Sequence, residues 1–393
     1  MVIDPIVREF DAYLTPEERA LVERAQDFGR RVVEPQAAGW ERERRVPVEA
    51  LREACAAGLA AVEVSPALGG AGLRFSAKLR MVEELAMFDF AFPFALVNHH
   101  NATARIAASA SSKVAERLVP RMLAGEIFGC SAYTEPGHGS DLSGIVTTAR
   151  RTSDGWLLDG AKAWITNAAI AGVAITLAQT EPGAGARGMA SFVVETDRPG
   201  FEREAAYALE GCHAIGAGGF RLSSYVAPDD ALLDPPGQAF RRAINGINGA
   251  RTYVAAMCAG MLQSAIEHAV RYGSSRQAFG RPLVEHQGLR WSLVDAEADL
   301  AALRLLTYRA ARRIDAGEPA EEDAARAKKL AGERTLGHLA ACVQAMGAHG
   351  LRADHPLVRH MLAAKTACFT DGTTEMMRER LGKLLLSRYF DAG

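Results

Sequence analysis

The hydrophobic period of this 393-residue chain changes twice, and this change constrains the fold more than any other feature. Up to about residue 127, apolar residues recur at spacings of three and four, which is typical of helices packed through one face. Between 128 and 236, short apolar runs alternate with turn residues, which indicates β-strands. The helical period then returns and holds to the end. We therefore predict an α+β chain with an N-terminal α domain (1–127), a middle β domain (128–236) and a C-terminal α domain (237–393).

The first long helix has a clear start signal. Thr15 can cap it, Pro16 suits its first position, and Glu18 completes a capping box. Pro35 lacks a backbone N–H and is predicted to end this helix.

In the middle domain the turn residues predict where strands begin and end. Two strand-like runs within 156–165 flank Asp159-Gly160, which predicts a hairpin with a two-residue turn. Further strands are predicted over 174–178 and 190–194. Residues 183–188 match the letters of a GxGxxG dinucleotide motif, but a strand-like run follows instead of a helix. We therefore interpret 183–188 as a flexible hairpin loop.

Composition and charge exclude several classes of function. The formal net charge is −2, which gives no electrostatic basis for binding nucleic acid or a membrane surface. No apolar stretch reaches the roughly 18–20 residues of a spanning helix, and the first residues do not resemble a secretory signal. The cysteines are widely spaced, so we expect buried thiols, no metal site and a cytoplasmic protein. The six are Cys55, Cys130, Cys212, Cys258, Cys342 and Cys368.

Three groups of segments carry motifs that belong together. They are 133–141 with 160–167, 272–280 with 285–287, and 344–350 with 371–375. In this order and spacing they resemble the acyl-CoA dehydrogenase family over essentially the full chain. The resemblance implies an N-terminal α-helical domain, a middle antiparallel β domain and a C-terminal four-helix bundle. It also implies FAD between the middle and C-terminal domains, and a homotetramer or homodimer.

The resemblance also assigns roles to individual residues. Those assigned to FAD are Tyr133, Thr134, Gly139, Ser140, Trp164, Thr166, Arg276, Phe279, Gln287, Gln344, Gly347, Thr373 and Glu375. Within this set, Arg276, Phe279 and Gln287 would reach the FAD of a neighbouring subunit. Those assigned to the substrate are Ser140, Asn248, Arg251 and Gly372. The shared phosphopantetheine arm leaves open whether the acyl group is carried by CoA or by a carrier protein.

The catalytic position departs from the family pattern. The family usually has Glu immediately before Gly-Thr, whereas this chain has Asp371, and the alternative base position is Ala250. Asp is one methylene shorter, about 1.5 Å of reach. The substrate could sit closer, the reaction could be that of a nitroalkane oxidase-like enzyme with an Asp base, or the dehydrogenase could be impaired. A purely local role for Asp371 in the turn before Gly372 also remains open.

The helix expected to line the acyl cavity carries a polar cluster, Asn98-His99-His100-Asn101. If these groups face the pocket, a short, branched or polar acyl group fits better than a long alkyl chain; a hydrogen-bonded core cluster is the alternative. The predicted activity is an FAD-dependent acyl-thioester dehydrogenase. Asp371 would remove the α proton, and the β hydrogen would pass to flavin N5 as hydride.

Two other functions remain open at this point. A flavin oxidase or monooxygenase could be built on the same fold, and rapid reoxidation by oxygen would distinguish it from a dehydrogenase that uses an electron-transferring flavoprotein. A flavin-free assembly partner is the non-enzymatic alternative, and a colourless purified protein would favour it.

Overall fold

The N-terminal region is a layer of helices. A computed structural model describes residues 4–390. Its first helices are α1 (Pro5–Tyr13), α2 (Pro16–Phe28), α3 (Glu34–Arg42), α4 (Val48–Ala56), α5 (Phe75–Ala86), α6 (Ala91–Ser109) and α7 (Ser112–Leu123). The capping box at the start of α2 is confirmed: Thr15 accepts from the Glu18 N–H, and the Glu18 carboxylate accepts from the Thr15 N–H.

The predicted helix end at Pro35 is wrong. The chain stays helical from α2 through a π-helical turn at Gly29–Val33 and continues as α3, with Pro35 in the first turn of that helix. Proline removes a backbone donor, and the first turn of a helix is where a missing donor costs least. The wider π turn before it lets the helix restart at Glu34 without a break in direction.

The middle region is one mixed sheet. Its strands are β1 (Phe128–Ala132), β2 (Thr148–Thr152), β3 (Gly155–Ile165), β4 (Ala171–Gln179), β5 (Met189–Glu195), β6 (Phe201–Arg203), β7 (Gly218–Ala227) and β8 (Leu232–Asp234). They run in the order β6-β7-β3-β2-β4-β5-β8, and β1 pairs with β4. Most neighbours are antiparallel, whereas β1 runs parallel to β4. The strands predicted over 174–178 and 190–194 are confirmed, and 183–188 lies in the connection between them.

The hairpin predicted around Asp159-Gly160 is also wrong. β3 runs unbroken from Gly155 to Ile165 between β2 and β7. Gly160 has φ 152° and lies at a register shift, and a Cβ there would be 2.5 Å from Thr147 Oγ1. Glycine is therefore needed here because the strand has a bulge and because Thr147 approaches closely. A glycine required for either reason cannot be distinguished in sequence from a turn glycine.

The C-terminal region is a helical bundle with a small hairpin. Its elements are α8 (Ala239–Ser275), β9 (Gln277–Ala278), β10 (Arg281–Pro282), α9 (Gln287–Asp315), α10 (Glu321–Met346), α11 (Leu357–Ala367) and α12 (Thr374–Phe390). α10 packs against α8, α9 and α12, and α8 also packs against α5 of the N-terminal layer. One apolar core therefore joins the two helical regions, while the sheet has a core of its own.

All six cysteines are buried and free, as expected. Burial raises the pKa of each buried thiol that shifts, for example Cys130 to about 12. Within residues 4–390, no helix is long and apolar enough to cross a membrane. The same residues contain no group of three or more side chains arranged to hold a metal ion.

Candidate active site

Asp371 lies on a tight turn between α11 and α12. Asp371 has φ 55° and Gly372 has φ 95°, so the backbone here adopts a left-handed conformation that favours glycine. The Arg251 guanidinium donates from Nε to the Asp371 carbonyl at 3.0 Å. A Cβ on Gly372 would be 3.3 Å from Arg251 Nη2, so glycine also leaves room for that contact. Arg251 thus holds the backbone of the turn and leaves the Asp371 carboxyl group unengaged.

The Asp371 carboxyl group has the properties of a proton acceptor. Its Oδ2 is buried and finds no hydrogen-bond partner among the described residues. Burial raises the pKa of Asp371 to about 6, while Lys328 and Arg251 act to lower it. An unpartnered carboxylate with a pKa close to neutral is typical of a general base.

Lys328 is a site residue that the sequence analysis missed. It is buried on α10, donates from Nζ to the Ala367 carbonyl at 2.6 Å, and lies 3.5 Å from the Gly372 carbonyl. Burial lowers the pKa of Lys328, while the Asp371 charge acts to raise it. Lys328 lies on the apolar face of α10, one turn after Ala324 and one turn before Ala331. A lysine at an apolar position of a helix was the sequence signal for a buried charge.

Two predicted substrate residues contact each other beside this turn. Arg251 donates from Nη1 to Asn248 Oδ1 at 2.8 Å. Burial, and to a lesser extent the Arg380 charge, lowers the pKa of Arg251 to about 10. Ser140, also predicted to bind substrate, lies on an exposed loop of the middle domain.

The middle-domain residues assigned to the flavin are fixed by a buried ion pair. Lys162 Nζ lies 2.8 Å from Glu135 Oε1 and 3.3 Å from the Tyr133 carbonyl. The Glu135 carboxylate also accepts the N–H groups of Val146 and Thr147. This pair joins the segment after β1 to β3 and so positions Tyr133 and Thr134. Glu135 and Lys162 lie within the family motifs at 133–141 and 160–167, but the sequence analysis assigned neither of them a role.

Trp164 is exposed in a strained position near the end of β3. Its φ is 60° and 62% of the residue is accessible, although one edge of the ring packs on Tyr207 with centroids 4.7 Å apart. The Ala163 N–H donates to the Thr134 carbonyl at 3.1 Å, which places Trp164 beside Thr134. Thr166 is half-buried nearby in sequence, and Gly139 is exposed on the loop with Ser140. An exposed, strained tryptophan is suited to covering a flat ligand.

Tyr133 connects this surface to the catalytic turn. Burial raises the pKa of Tyr133, and the Asp371 charge contributes to that increase. Tyr133 also packs against an apolar cluster that includes Ala239 and Ala243 of α8, so the sheet and the C-terminal helices meet here. We call the region between Tyr133 and Asp371 the cleft.

A second set of predicted cofactor residues lies elsewhere. Arg276 follows the last residue of α8, Phe279 is 97% exposed on the β9–β10 hairpin, and Gln287 begins α9. α8 has 37 residues, so its ends are about 55 Å apart at 1.5 Å per residue, whereas Arg251 lies in its first half. In one chain these residues do not share the cleft with Asp371.

Two further residues assigned to FAD, Gln344 and Gly347, lie near that second set. Gln344 is exposed at the end of α10 and Gly347 follows with φ 60°. His349, two residues further, stacks on Tyr272 near the end of α8, with centroids 4.7 Å apart. Thr373 and Glu375 instead flank the start of α12, directly after the Asp371 turn.

The polar cluster on α6 divides into two parts. His99 accepts the Gly129 N–H at Nδ1 and bonds the Met122 carbonyl through Nε2, and His100 Nε2 accepts the Glu63 N–H. Burial lowers the pKa of His99 to about 4 and that of His100 to about 3, so both rings are neutral core residues. Asn101 instead donates from Nδ2 to the Tyr253 hydroxyl at 3.2 Å. His99 and His100 therefore belong to a hydrogen-bonded core cluster, which was the alternative to a role in the acyl pocket.

The chain matches known proteins along its length. Family models for the acyl-CoA dehydrogenase N-terminal, middle and C-terminal domains match residues 15–126, 130–224 and 237–386. The chain is 31% identical to the mitochondrial short-chain specific acyl-CoA dehydrogenase of Homo sapiens, over 94% of this chain and 90% of that protein.

Solved structures agree with these matches. Butyryl-CoA dehydrogenase from Megasphaera elsdenii superposes with a TM-score of 0.91 at 28% identity, covering 95% of this chain and 99% of the other. The structure described as PigA with FAD and proline superposes with a TM-score of 0.90 at 26% identity, covering 95% and 99%. The chain belongs to the acyl-CoA dehydrogenase family of flavin-dependent oxidoreductases.

Proposed function

We propose that this protein is an FAD-dependent dehydrogenase of short acyl thioesters in which Asp371 is the catalytic base. The observation that carries the proposal is the Asp371 carboxyl group, which has one buried, unpartnered oxygen and a pKa raised to about 6. At neutral pH this group is mostly ionised and can accept a proton from the carbon next to a thioester carbonyl.

The residues of the cleft fit a flavin. Trp164 presents an exposed face, and Gly137 and Gly139 have no atom within 4 Å of where a Cβ would lie, so a ligand can approach the backbone there. Tyr133, Thr134 and Thr166 are each half-buried, and their hydroxyl groups would serve as hydrogen-bond partners of the flavin. FAD bound here would accept the β hydrogen as hydride.

The second set of predicted cofactor residues would serve the FAD of another copy of this chain. Arg276, Phe279, Gln287, Gln344 and Gly347 lie at the far end of α8, and Arg276 is exposed as a pyrophosphate ligand must be. We therefore propose a homo-oligomer in which each copy completes the cofactor site of a neighbour. Thr373 and Glu375 stay beside the Asp371 turn of their own chain.

The backbone of the Asp371 turn is suited to hold the thioester oxygen. Among the described residues, the N–H groups of Asp371 and Gly372 donate to no acceptor. Two free donors beside the base can stabilise the negative charge that develops on this oxygen as the α proton leaves. Arg251 acts here as a positioning residue, because its guanidinium fixes the carbonyl of Asp371. Asn248 and Ser140 would then contact the pantetheine arm at the mouth of the cleft.

A short acyl group suits this site. Tyr253 is buried on α8, and the Asp371 charge acts to raise its pKa. We infer that its large ring limits the length of an acyl group held beside Asp371. The relatives named for short-chain and butyryl-CoA substrates support this size, and PigA was solved with proline, a small polar group. CoA or an acyl-carrier protein would deliver the acyl group, and an electron-transferring flavoprotein would accept the electrons.

Anaerobic mixing of the purified yellow protein with acyl-CoAs of increasing length tests the proposal. Bleaching of the flavin band by butyryl-CoA, with little effect of palmitoyl-CoA, is the expected result. Best reduction by palmitoyl-CoA would contradict the short-chain assignment. If the reduced protein is reoxidised by oxygen within seconds, the enzyme is an oxidase or monooxygenase on this fold instead of a dehydrogenase.

A further inference from the structure

Tyr253 lies on α8 two residues after Arg251, which holds the catalytic turn. The residue is 2% exposed. Its hydroxyl group contacts Asn101 on α6, the helix expected to line the acyl cavity. The charges of Asp371 and Tyr133 both act to raise the pKa of Tyr253, which is consistent with a position close to the catalytic carboxyl group.

The orientation of Asn101 determines what Tyr253 can do. Lys78 Nζ, which can only donate, lies 3.2 Å from Asn101 Oδ1 and so fixes that atom as the carbonyl oxygen. The amide nitrogen Nδ2 then points at Tyr253 Oη, 3.2 Å away, and donates to it. The tyrosine oxygen is thus already an acceptor.

The hydroxyl hydrogen of Tyr253 has no acceptor within the described part of the chain, since its one hydrogen bond there is the one it receives from Asn101. Buried hydroxyl groups rarely keep an unused donor, because leaving one unpaired costs about 1–3 kcal/mol. The missing acceptor is therefore most simply a group on the bound substrate.

The charges around Tyr253 favour an uncharged acceptor. Lys78 is the cation of this network, and it is already paired with the Glu63 carboxylate. Glu63 and Asp371 both contribute negative charge at Tyr253. A substrate carboxylate beside Tyr253 would meet the negative charges of Glu63 and Asp371, and Lys78 is already paired. Arg251 and Lys328 are directed to backbone carbonyls near the catalytic turn, so a second buried carboxylate would lack a direct partner, which is unfavourable.

We propose that Tyr253 is a specificity-determining residue, and that the substrate is a short acyl thioester whose acyl group carries a neutral hydrogen-bond acceptor, a hydroxyl or carbonyl oxygen, in addition to the thioester. This inference rests on the dehydrogenase function proposed above. Asn101, Lys78 and Glu63 are the positioning residues that turn the Tyr253 hydroxyl hydrogen toward the acyl group.

The test compares acyl-CoAs of one length in anaerobic flavin reduction by the holoenzyme. Butyryl-CoA, 4-hydroxybutyryl-CoA and succinyl-CoA differ only in the group at C4. The hydroxyl group of 3-hydroxybutyryl-CoA lies instead on C3, the carbon that loses the hydride, so this compound tests a second position for the acceptor. We expect the wild type to reduce fastest with one of the hydroxylated compounds, about tenfold ahead of butyryl-CoA, as one hydrogen bond allows, and slowest with succinyl-CoA. Tyr253→Phe should remove the preference for the hydroxylated compound, so that the ratio of its rate to the rate with butyryl-CoA falls to about one.

Tyr225→Phe is the matched control, because Tyr225 is buried in the sheet and its hydroxyl donates to the Glu195 carbonyl, away from the cleft. This variant should keep the wild-type ratios. The ratio between two substrates is the readout because a general loss of stability or of FAD affects both substrates alike.

The results that would contradict the proposed dehydrogenase function differ from those that would contradict the inference about Tyr253. Absence of bleaching with every thioester contradicts the proposed dehydrogenase function. Bleaching by butyryl-CoA as fast as by both hydroxylated compounds, or fastest by succinyl-CoA, overturns only the inference about Tyr253. An equal loss with all substrates in Tyr253→Phe, with a shifted pH profile, would mean that the hydroxyl serves Asp371 and not the substrate.

Discussion

Two buried clusters of charged side chains lie in the helical regions, and they differ in how completely their hydrogen bonds are made. The first joins α1, α5 and α9. Both carboxylate oxygens of Glu83 are engaged there, one by Arg304 Nε at 2.8 Å and one by the Tyr308 hydroxyl at 2.7 Å, and Arg80 lies 3.0 Å from the second. Burial alone would raise the pKa of Glu83, but Arg80 and Arg304 lower it.

The second cluster surrounds Asp371. Lys328 and Arg251 donate to backbone carbonyls of the turn, and neither is hydrogen-bonded to the carboxyl group they surround. The pKa of Asp371 accordingly rises to about 6, the opposite direction from Glu83. A buried carboxylate is stabilising where its partners bind it directly, and reactive where they hold only its backbone.

The largest expected effect lies in the first cluster. Glu83→Gln should lower the free energy of unfolding by about 3–5 kcal/mol, because Arg80 and Arg304 would lose a buried charge partner. Urea unfolding followed by circular dichroism measures this loss, with the exposed Glu202→Gln as control. Flavin reduction per folded molecule should stay unchanged. A loss below about 1 kcal/mol would show that the two clusters do not differ in the way described.

Removal of the Asp371 charge from the second cluster should slow flavin reduction. Asp371→Asn should lower the rate of flavin reduction by at least about 10²-fold, because the amide cannot accept the α proton. The visible spectrum should still show bound FAD. Stopped-flow reduction with butyryl-CoA measures the rate, and Asp154→Asn, on an exposed turn, serves as the control. An unchanged rate would leave Asp371 with only a role in the turn.

The same substitution should make the protein more stable, and only above a certain pH. The folded pKa of Asp371, about 6, lies above the ordinary value of 3.8, so the ionised group opposes folding as pH rises through this window. Asp371→Asn should therefore increase the free energy of unfolding by about 2–3 kcal/mol at pH 8 and change it little at pH 4. Urea unfolding at the two pH values measures the difference. Equal effects at both would show that the charge is not the cause.

The sequence predicted those parts that depend on neighbours along the chain. The change of period gave the order of the three regions, and the capping box of Thr15 and Glu18 gave a helix start. Gly160 was misread because a bulge and a turn need the same residue type. Lys328 and Tyr253 were missed since their significance comes from partners on other helices.

Large separations in sequence also prevented a prediction of which site residues lie close together. Arg251 and Asp371 are 120 residues apart yet form a hydrogen bond, a contact that no local pattern announces. Arg276 belongs to the same helix as Arg251 and lies far from the turn that Arg251 holds. The resemblance to the family identified both arginines. Only the structure shows that they lie in different places, one in the first half of α8 and the other just after its last residue.

The length of α8 has a consequence for how this protein can vary. Asn248, Arg251 and Tyr253 lie on one continuous helix that runs directly into Arg276. Insertion of a single residue between these two points would rotate one end relative to the other by about 100° and move it by about 1.5 Å. Substitutions within this stretch leave that relation unchanged, whereas an insertion or a deletion alters it. The length of α8 therefore fixes both the distance and the relative rotation between Arg251, beside the catalytic turn, and Arg276 at the other end of the helix.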